Sequence, residues 1–226
     1  MVCYARAALH FSLFVVFVWA VRFDDTFPPE RLPVPGYYSS KLVWLTIVDL
    51  FLQAAYHAYA FYVSLTFASS DSTSLHRFHF LSAAIVQPVA LTVGLLFWSF
   101  YSIDPKILIP ENMIVAFSAN SWANHAQHTL PPVAMLADQL LWMHPRANKK
   151  SAFMALLIFA FLYVVDVHVV HAISGYWAYG ILAQLPAVLR TIFILACAAV
   201  LYLAFLVGDT FNALCHSLFD NKVARD

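Results

Sequence analysis

Charged residues are scarce in this chain. Only 11% of its 226 residues are Asp, Glu, Lys or Arg, and 62% are hydrophobic, whereas soluble domains average about 25% charged and about 45–50% apolar residues. That leaves too little polar surface to cover a water-soluble globule of this size. The formal net charge is zero and no basic run is present, so nucleic acid is a poor partner. The composition predicts an integral membrane protein surrounded by a lipid bilayer.

Cysteines and the common catalytic signatures are also lacking. The three cysteines, Cys3, Cys197 and Cys215, are scattered without CxxC spacing, which is typical of small hydrophobic side chains and not of a redox or metal site. The chain has no GxSxG elbow, HExxH helix, Walker loop or glycine-rich dinucleotide fingerprint. We therefore predict no cofactor, and any chemistry must come from other side chains.

What the chain does contain is long apolar runs. A membrane-spanning helix needs about 20 mostly apolar residues, and six runs qualify: 5–23, 42–68, 80–101, 124–143, 152–174 and 185–207. The first run resembles a signal peptide, but no small-residue cleavage site follows it, so we interpret it as a membrane helix. The predicted fold is an all-α bundle of six transmembrane helices forming one domain, residues 1–226.

With six spans, the loops alternate between the two membrane faces. Seven basic residues fall on the face that holds the termini and five on the other, which weakly favours cytoplasmic termini. Alternation places the starts of helices two, four and six and the end of helix five on the second face. The polar residues gathered there are Thr46, Asn124, His125, His128, His168, His171, Ser174 and Arg190.

Two of the predicted helices carry polar stripes. The stripe of helix two has spacings of 3, 4 and 4 residues, which place its members on one helical face. Polar groups in lipid must face protein or water, so the stripes predict a shared buried cavity. For Gln53 and Gln139 we favour simple hydrogen bonding between helices. The stripes consist of Thr46, Asp49, Gln53 and His57 in helix two, and of Asn124, His128 and Gln139 in helix four.

Thr46 and His128 form the first candidate site. A threonine hydroxyl is a weak nucleophile unless a base takes its proton, and histidine has a suitable pKa near neutrality. Both residues lie about one turn inside their runs, so we expect them at similar depth. Asp49 could orient the imidazole, while Asn124 and the first backbone N–H groups of helix four could stabilise an oxyanion.

A zinc site is the competing hypothesis. Two histidine pairs with i, i+3 spacing face the same side, and with Asp166 they could bind zinc and activate water. A further pair, His76 and His79, lies on the opposite face and cannot join them. The alternative for the second pair is hydrogen bonding to neighbouring carbonyl groups. The two candidate pairs are His125 with His128 and His168 with His171.

Several motifs together resemble the androgen-induced family of multi-pass membrane proteins. The resemblance covers nearly the whole chain, and the matching segments are 41–53 (KxxxLTxxDLxxQ), 88–110, 122–129 (WxNHxxHT), 171–179 (HxxSGxWxY) and 208–212 (GDxFN). It implies a threonine hydrolase that cleaves fatty acid esters of hydroxy fatty acids, with Thr46 as nucleophile and His128 as base. His168 is not part of the family pattern, and neither a metal nor a cofactor is implied. The expected location is the endoplasmic reticulum or plasma membrane of a eukaryote.

The substrate and one alternative class follow from these readings. A lipid ester would reach the site from within the bilayer, and Arg190 could hold a free carboxylate of the substrate or extend to the lipid headgroups. A non-enzymatic lipid-binding, transport or regulatory membrane protein remains the alternative. Transport is less favoured because the chain lacks paired helices broken by Gly or Pro in matching halves.

Overall fold

The computed structural model describes residues 4–24, 29–66, 73–108 and 121–223, and this part of the chain is helical without strands. The long helix α3 contains a π-helical segment, Ser82–Val86, and short 3-10 turns occupy Pro29–Arg31, Tyr38–Val43 and Pro105–Ile107. The helices are α1 Tyr4–Asp24, α2 Leu45–Thr66, α3 Thr73–Ile103, α4 Ser121–His128, α5 Leu130–Trp142, α6 Lys149–Ser174, α7 Gly180–Gln184 and α8 Ala187–Val223.

Four of these helices are long and apolar enough to cross a membrane. They are Tyr4–Phe23, Thr73–Ile103, Lys149–Ser174 and Ala187–Leu218. The outer face of α6 carries large apolar side chains, such as Phe161 at 66% and Leu162 at 60% exposure. A continuous exposed apolar surface of this kind is normal in contact with lipid and a liability in water.

The predicted runs 5–23 and 152–174 agree with α1 and α6 to within a few residues. The run 185–207 was too short, because α8 continues to Val223. In the run 42–68, residues 42–43 belong to a 3-10 turn and α2 begins at Leu45, while 67 and 68 lie outside the described residues. Residues 109–120, which belong to the predicted loop between runs 80–101 and 124–143, also lie outside the described residues.

The runs 42–68 and 80–101 leave residues 69–79 as a predicted linker, and this prediction was wrong from Thr73 onward. α3 begins there because tertiary contacts stabilise a helix in this polar stretch. The Phe78 ring is fully buried and stacks on Tyr56 with centroids 5.5 Å apart, and the hydroxyl of Tyr59 donates to the carbonyl of Ser74. Tertiary packing commonly overrides weak local propensity in this way.

The run 124–143 was predicted as one helix, and the structure corrects this to two. α4 ends at His128 and α5 begins at Leu130. Pro131 and Pro132 cannot donate the hydrogen bonds that a continuous helix would give to the carbonyls of Gln127 and His128. The break therefore falls at the candidate catalytic histidine.

Apolar packing fixes the start of α2, which holds Thr46, between the other elements. On one side, Ile47 and Leu50 pack with Phe17 of α1 and Ala126 of α4 in a buried cluster. On the other side, Val43 packs in a separate cluster formed with Val167 and Val170 of α6, Ala178, and Leu182 of α7. The nucleophile candidate is thus held between two parts of the core.

Candidate active site

Thr46 and His128, which are separated by 82 residues in sequence, lie side by side. Thr46 Oγ1 is 3.2 Å from His128 Nε2. The imidazole Nδ1 is 3.0 Å from the carbonyl oxygen of Asn124, which can only accept a hydrogen bond. Nδ1 of a neutral His128 therefore carries the hydrogen, and Nε2 is left as the acceptor for the threonine hydroxyl. This is the tautomer that a general base needs.

The His128 ring is held tightly on its other sides. It is only 4% exposed, and it stacks on the Phe97 ring with centroids 3.4 Å apart and an interplanar angle of 6°. A Cβ atom on Gly94 would lie 2.8 Å from the His128 carbonyl oxygen and 2.9 Å from Cγ of Pro132. Glycine at this position lets the break between α4 and α5 approach α3 closely, which brings the histidine to the start of α2.

Asp49, predicted to orient the imidazole, makes a different contact. Its Oδ1 accepts a hydrogen bond of 3.1 Å from the side chain of Gln53, one turn further along α2. The group that orients His128 is the backbone carbonyl of Asn124. Asn124 thus supports the imidazole through its main chain, a role that a motif search based on side chains does not find.

Two further predicted site residues, His125 and His171, make other contacts than those within the Thr46–His128 pair, which we call the dyad. His125 is exposed and its Nδ1 lies 2.9 Å from the Thr129 hydroxyl, which also accepts a hydrogen bond from Trp98. His171 stacks on Trp177 with centroids 3.8 Å apart. Neither histidine is among the residues that line the cavity beside Thr46.

Arg190 is used to hold the chain between α6 and α8. It donates hydrogen bonds to the carbonyls of Leu182 and Leu185, at 2.7 and 2.9 Å, and its guanidinium lies 4.1 Å from the Trp177 ring centroid. It does not line the cavity. These contacts satisfy the end of α7, where carbonyl groups lack helical donors.

The zinc hypothesis needs several ligands to converge, and the geometry does not provide this. Within the described ranges, no three His, Cys, Asp or Glu side chains form a group able to hold a metal ion. His128 faces Thr46, whereas His168 donates from Nδ1 to the carbonyl of its own helix neighbour Val164 at 2.8 Å. The four histidines thus serve separate contacts.

Beside the dyad lies a cavity of about 230 Å³, lined mainly by apolar side chains of α2, α3, α6 and α8. It is smaller than the roughly 300–1,000 Å³ usual for pockets that enclose a whole drug-sized ligand. It could therefore enclose only part of a long-chain lipid. The side chains with polar atoms in its wall belong to Lys41, Trp44, Thr46, Thr92, Gln127, His128, Tyr163, His168, Tyr176 and Tyr179.

A second polar cluster was not predicted. Asp138 of α5 is fully buried and accepts hydrogen bonds from Tyr56, Ser82 and His144 at 2.8–2.9 Å. His10 lies 3.6 Å from the same carboxylate. The sequence did contain a signal for such a cluster, because an ionisable group such as His10 inside an apolar run is rarely without a partner.

His10 of α1 joins this cluster to His57 of α2, and the donor and acceptor of its hydrogen bonds can be assigned. Its Nε2 must accept, because the Trp142 indole N–H, 2.8 Å away, is only a donor. A neutral His10 therefore carries its hydrogen on Nδ1 and donates it to Nδ1 of His57 at 2.9 Å. The cluster ties α1, α2, α3 and α5 together.

The apolar spans and the polar dyad enclosed among them define a class, the integral multi-pass membrane proteins that carry polar groups within the helix bundle. The chain belongs to the FAR-17a/AIG1-like protein family, whose model matches residues 5–213. This agrees with the resemblance drawn from the motifs.

Individual relatives are similar at modest identity. The human androgen-induced gene 1 protein is 23% identical over 193 residues, covering 80% of each chain. The androgen-dependent TFPI-regulating protein of Mesocricetus auratus is 28% identical over 132 residues, covering 58% of this chain and 56% of its own. A membrane protein of Schizosaccharomyces pombe is 27% identical over 171 residues, covering 75% and 74%. No solved structure matches the chain.

Proposed function

We propose that the protein is an intramembrane hydrolase of lipid esters, with Thr46 as nucleophile and His128 as general base. The observation that carries the proposal is the distance of 3.2 Å between Thr46 Oγ1 and the acceptor nitrogen of His128. An activated nucleophile is recognised by a base in hydrogen-bonding reach that is itself oriented by a third group. Here that third group is the carbonyl of Asn124.

The reaction proceeds in two balanced steps. His128 Nε2 takes the hydroxyl proton as Thr46 Oγ1 attacks the ester carbonyl carbon, and the imidazolium then gives that proton to the departing alkoxide. An acyl-threonine and the alcohol product result. Water next attacks the acyl group while His128 takes its proton, and the threonine hydroxyl is restored as the carboxylic acid leaves.

The substrate class follows from the site's surroundings and from the family resemblance. A cavity of about 230 Å³ with mostly apolar walls suits an ester bond and part of one acyl chain, with the rest lying in the bilayer. The resemblance favours fatty acid esters of hydroxy fatty acids. Arg190 donates hydrogen bonds to the carbonyls of Leu182 and Leu185 and does not line the cavity, so we do not assign it to their carboxylate.

We also propose that the whole chain forms one domain of six spans. α2 has 22 residues, or about 33 Å at 1.5 Å per residue, which is enough to cross the apolar core of a bilayer. The polar stripe lowers its hydropathy but faces inward, where Asp49, Gln53 and His57 are fully buried. The pair α4 and α5 would make the sixth crossing, with its break beside the dyad.

The direct test is a hydrolysis assay on the purified full-length protein in lipid nanodiscs. We expect a fatty acid ester of a hydroxy fatty acid to yield free hydroxy fatty acid, measured by mass spectrometry. In water enriched with ¹⁸O the label should enter the released acid. Because the proposed chemistry uses side chains only, a chelator should leave turnover unchanged. Tight binding of the ester without product would instead identify a lipid-binding protein.

Gly94→Ala is expected to lower kcat without removing the catalytic groups. The added Cβ would lie 2.8 Å from the His128 carbonyl and 2.9 Å from Pro132, so the break between α4 and α5 must move away from α3. Small displacements of a catalytic group cost up to about 100-fold in rate, and we expect kcat to fall by roughly 10- to 100-fold.

Gly208→Ala is the matched control for this prediction. Its Cβ would lie 2.7–3.0 Å from the Gln87 side chain, which does not line the cavity beside Thr46. We expect the control to lower thermal stability while keeping kcat within about threefold of the wild type. Equal losses of kcat in the two variants would show that Gly94 acts through general packing alone.

A further inference from the structure

Three hydrogen bonds anchor the segment just before Thr46 to residues that lie far away in sequence. The Trp44 indole donates to the carbonyl of Ala178 at 3.1 Å, and the backbone N–H of Leu45 donates to the hydroxyl oxygen of Tyr179 at 3.0 Å. The hydroxyl of Tyr163 donates to the carbonyl of Val43 at 2.7 Å. The hydroxyls of Tyr163 and Tyr179 thus bond to backbone groups within three residues of Thr46, and both tyrosines line the cavity.

The two hydroxyl groups differ in what they have left to donate. A carbonyl only accepts, so the Val43 contact uses the hydrogen of Tyr163. A backbone N–H only donates, so the Leu45 contact uses a lone pair of Tyr179 and leaves its hydrogen available. Among the described residues, the acceptor within reach of that hydrogen is the Tyr163 oxygen at 3.4 Å, which is long for a bond between hydroxyl groups.

We infer that Tyr179 donates a hydrogen bond to the oxyanion formed when Thr46 attacks the ester, a role that rests on the proposed hydrolase function. As Thr46 Oγ1 bonds to the carbonyl carbon, the carbonyl π electrons move to its oxygen. The Tyr179 hydroxyl stabilises that charge without transferring its proton. The proton from Thr46 goes to His128, and collapse of the adduct breaks the ester C–O bond.

The surroundings suit this role. The Tyr179 oxygen is 3.0 Å from the nitrogen of Leu45, the residue next to Thr46, at the beginning of a long helix. The positive end of the α2 helix dipole favours negative charge there. Burial raises the pKa of Tyr179, so the hydroxyl keeps its proton at neutral pH. A donor fixed in place before the reaction is the usual basis of oxyanion stabilisation.

Tyr179→Phe and Tyr163→Phe form a matched pair that tests the assignment. Each removes one hydroxyl from the same pair and breaks one bond to the backbone flanking Thr46. Removing one oxyanion donor typically costs about 100- to 1,000-fold in kcat. We expect that loss for Tyr179→Phe with KM within about threefold, and kcat within about tenfold of the wild type for Tyr163→Phe.

Two probes separate transition-state stabilisation from a structural role. The rate of labelling by an alkyl fluorophosphonate, whose adduct places an oxygen where the oxyanion forms, should fall with kcat in Tyr179→Phe. The affinity for a non-cleavable ether analogue of the substrate should stay unchanged. Equal losses of kcat in both phenylalanine variants, or an unchanged labelling rate, would overturn the assignment to Tyr179.

Different results would overturn the proposed hydrolase function. Turnover by wild type that Thr46→Ala does not reduce would overturn the hydrolase mechanism and the role of Tyr179 with it. Turnover that is lost in Thr46→Ala but kept in Tyr179→Phe would overturn the oxyanion role alone. An absence of any turnover by the wild type would overturn both.

Discussion

Thr46→Ala is expected to reduce ester hydrolysis to the background rate. The variant loses the only atom that could form the acyl intermediate in the proposed mechanism, and we expect kcat to fall by at least about 1,000-fold. His128→Ala should cause a loss of similar size, because a nucleophile and its base act as a unit. For the same reason, the double variant should be hardly less active than either single variant. Labelling by a fluorophosphonate probe should disappear in Thr46→Ala.

Thr92→Ala is the matched control in the same cavity. Thr92 is also a cavity-lining threonine, but it is 2% exposed and its hydroxyl donates to the carbonyl of Pro88 at 2.7 Å. We expect this variant to keep both labelling and turnover within about threefold of the wild type. Thr46→Ser should retain measurable turnover, since it keeps the hydroxyl. Wild-type turnover in Thr46→Ala would contradict the proposed mechanism.

Asp138→Ala is expected to cause the largest loss of stability among the predicted variants. The carboxylate accepts hydrogen bonds from Tyr56 of α2, Ser82 of α3 and His144, and all four residues are almost completely buried. Removing it leaves three donors without their acceptor in a place that water cannot readily reach. Breaking a buried charged network costs about 3–5 kcal/mol of unfolding free energy. Chemical unfolding in detergent micelles measures this directly.

Asp209→Ala provides the comparison for an ion pair with an exposed partner. Asp209 accepts a hydrogen bond from Nε of Arg146 at 2.8 Å, but the Arg146 side chain is 52% exposed. Exposed ion pairs contribute little to stability, so the shift in unfolding midpoint should be clearly smaller than for Asp138→Ala. Equal shifts would mean that the buried cluster around Asp138 contributes no more stability than this partly exposed ion pair.

The candidate catalytic pair was within reach of sequence reasoning for a simple physical reason. The predicted alternation of six spans puts the starts of runs 42–68 and 124–143 on one face, with Thr46 and His128 each about one turn inside its run. In the structure the two residues hold different places in their helices, since Thr46 is the second residue of α2 and His128 the last residue of α4. The group that orients His128 was not within reach of the sequence, because Asp49 stands out as a charged side chain whereas every residue has a backbone carbonyl like that of Asn124. Only the path of the chain selects it.

Arg190 is a residue for which the sequence left two interpretations open, a carboxylate ligand or a contact with lipid headgroups. The structure adds a contact that the sequence did not suggest, because two carbonyls near the end of the short helix α7 accept hydrogen bonds from Arg190. Residues 180–184 form this short helix between α6 and α8, and its Leu182 is buried in the same cluster as Val43. A helix of five residues is too short for the spacing of its apolar residues to predict where it ends.

The sequence by itself determined the membrane environment, the helical class, the family and the two side chains proposed to react. These depend on composition, on apolar run length and on motifs, all of which are local properties of the chain. The tertiary structure alone decided how the break between α4 and α5 packs against Gly94, which hydroxyl lies beside the backbone before Thr46, namely that of Tyr179, and which side chains gather around Asp138. Each joins groups separated by about 35 to 135 residues in sequence, and such contacts are selected by how whole helices pack, which is not encoded in any local pattern.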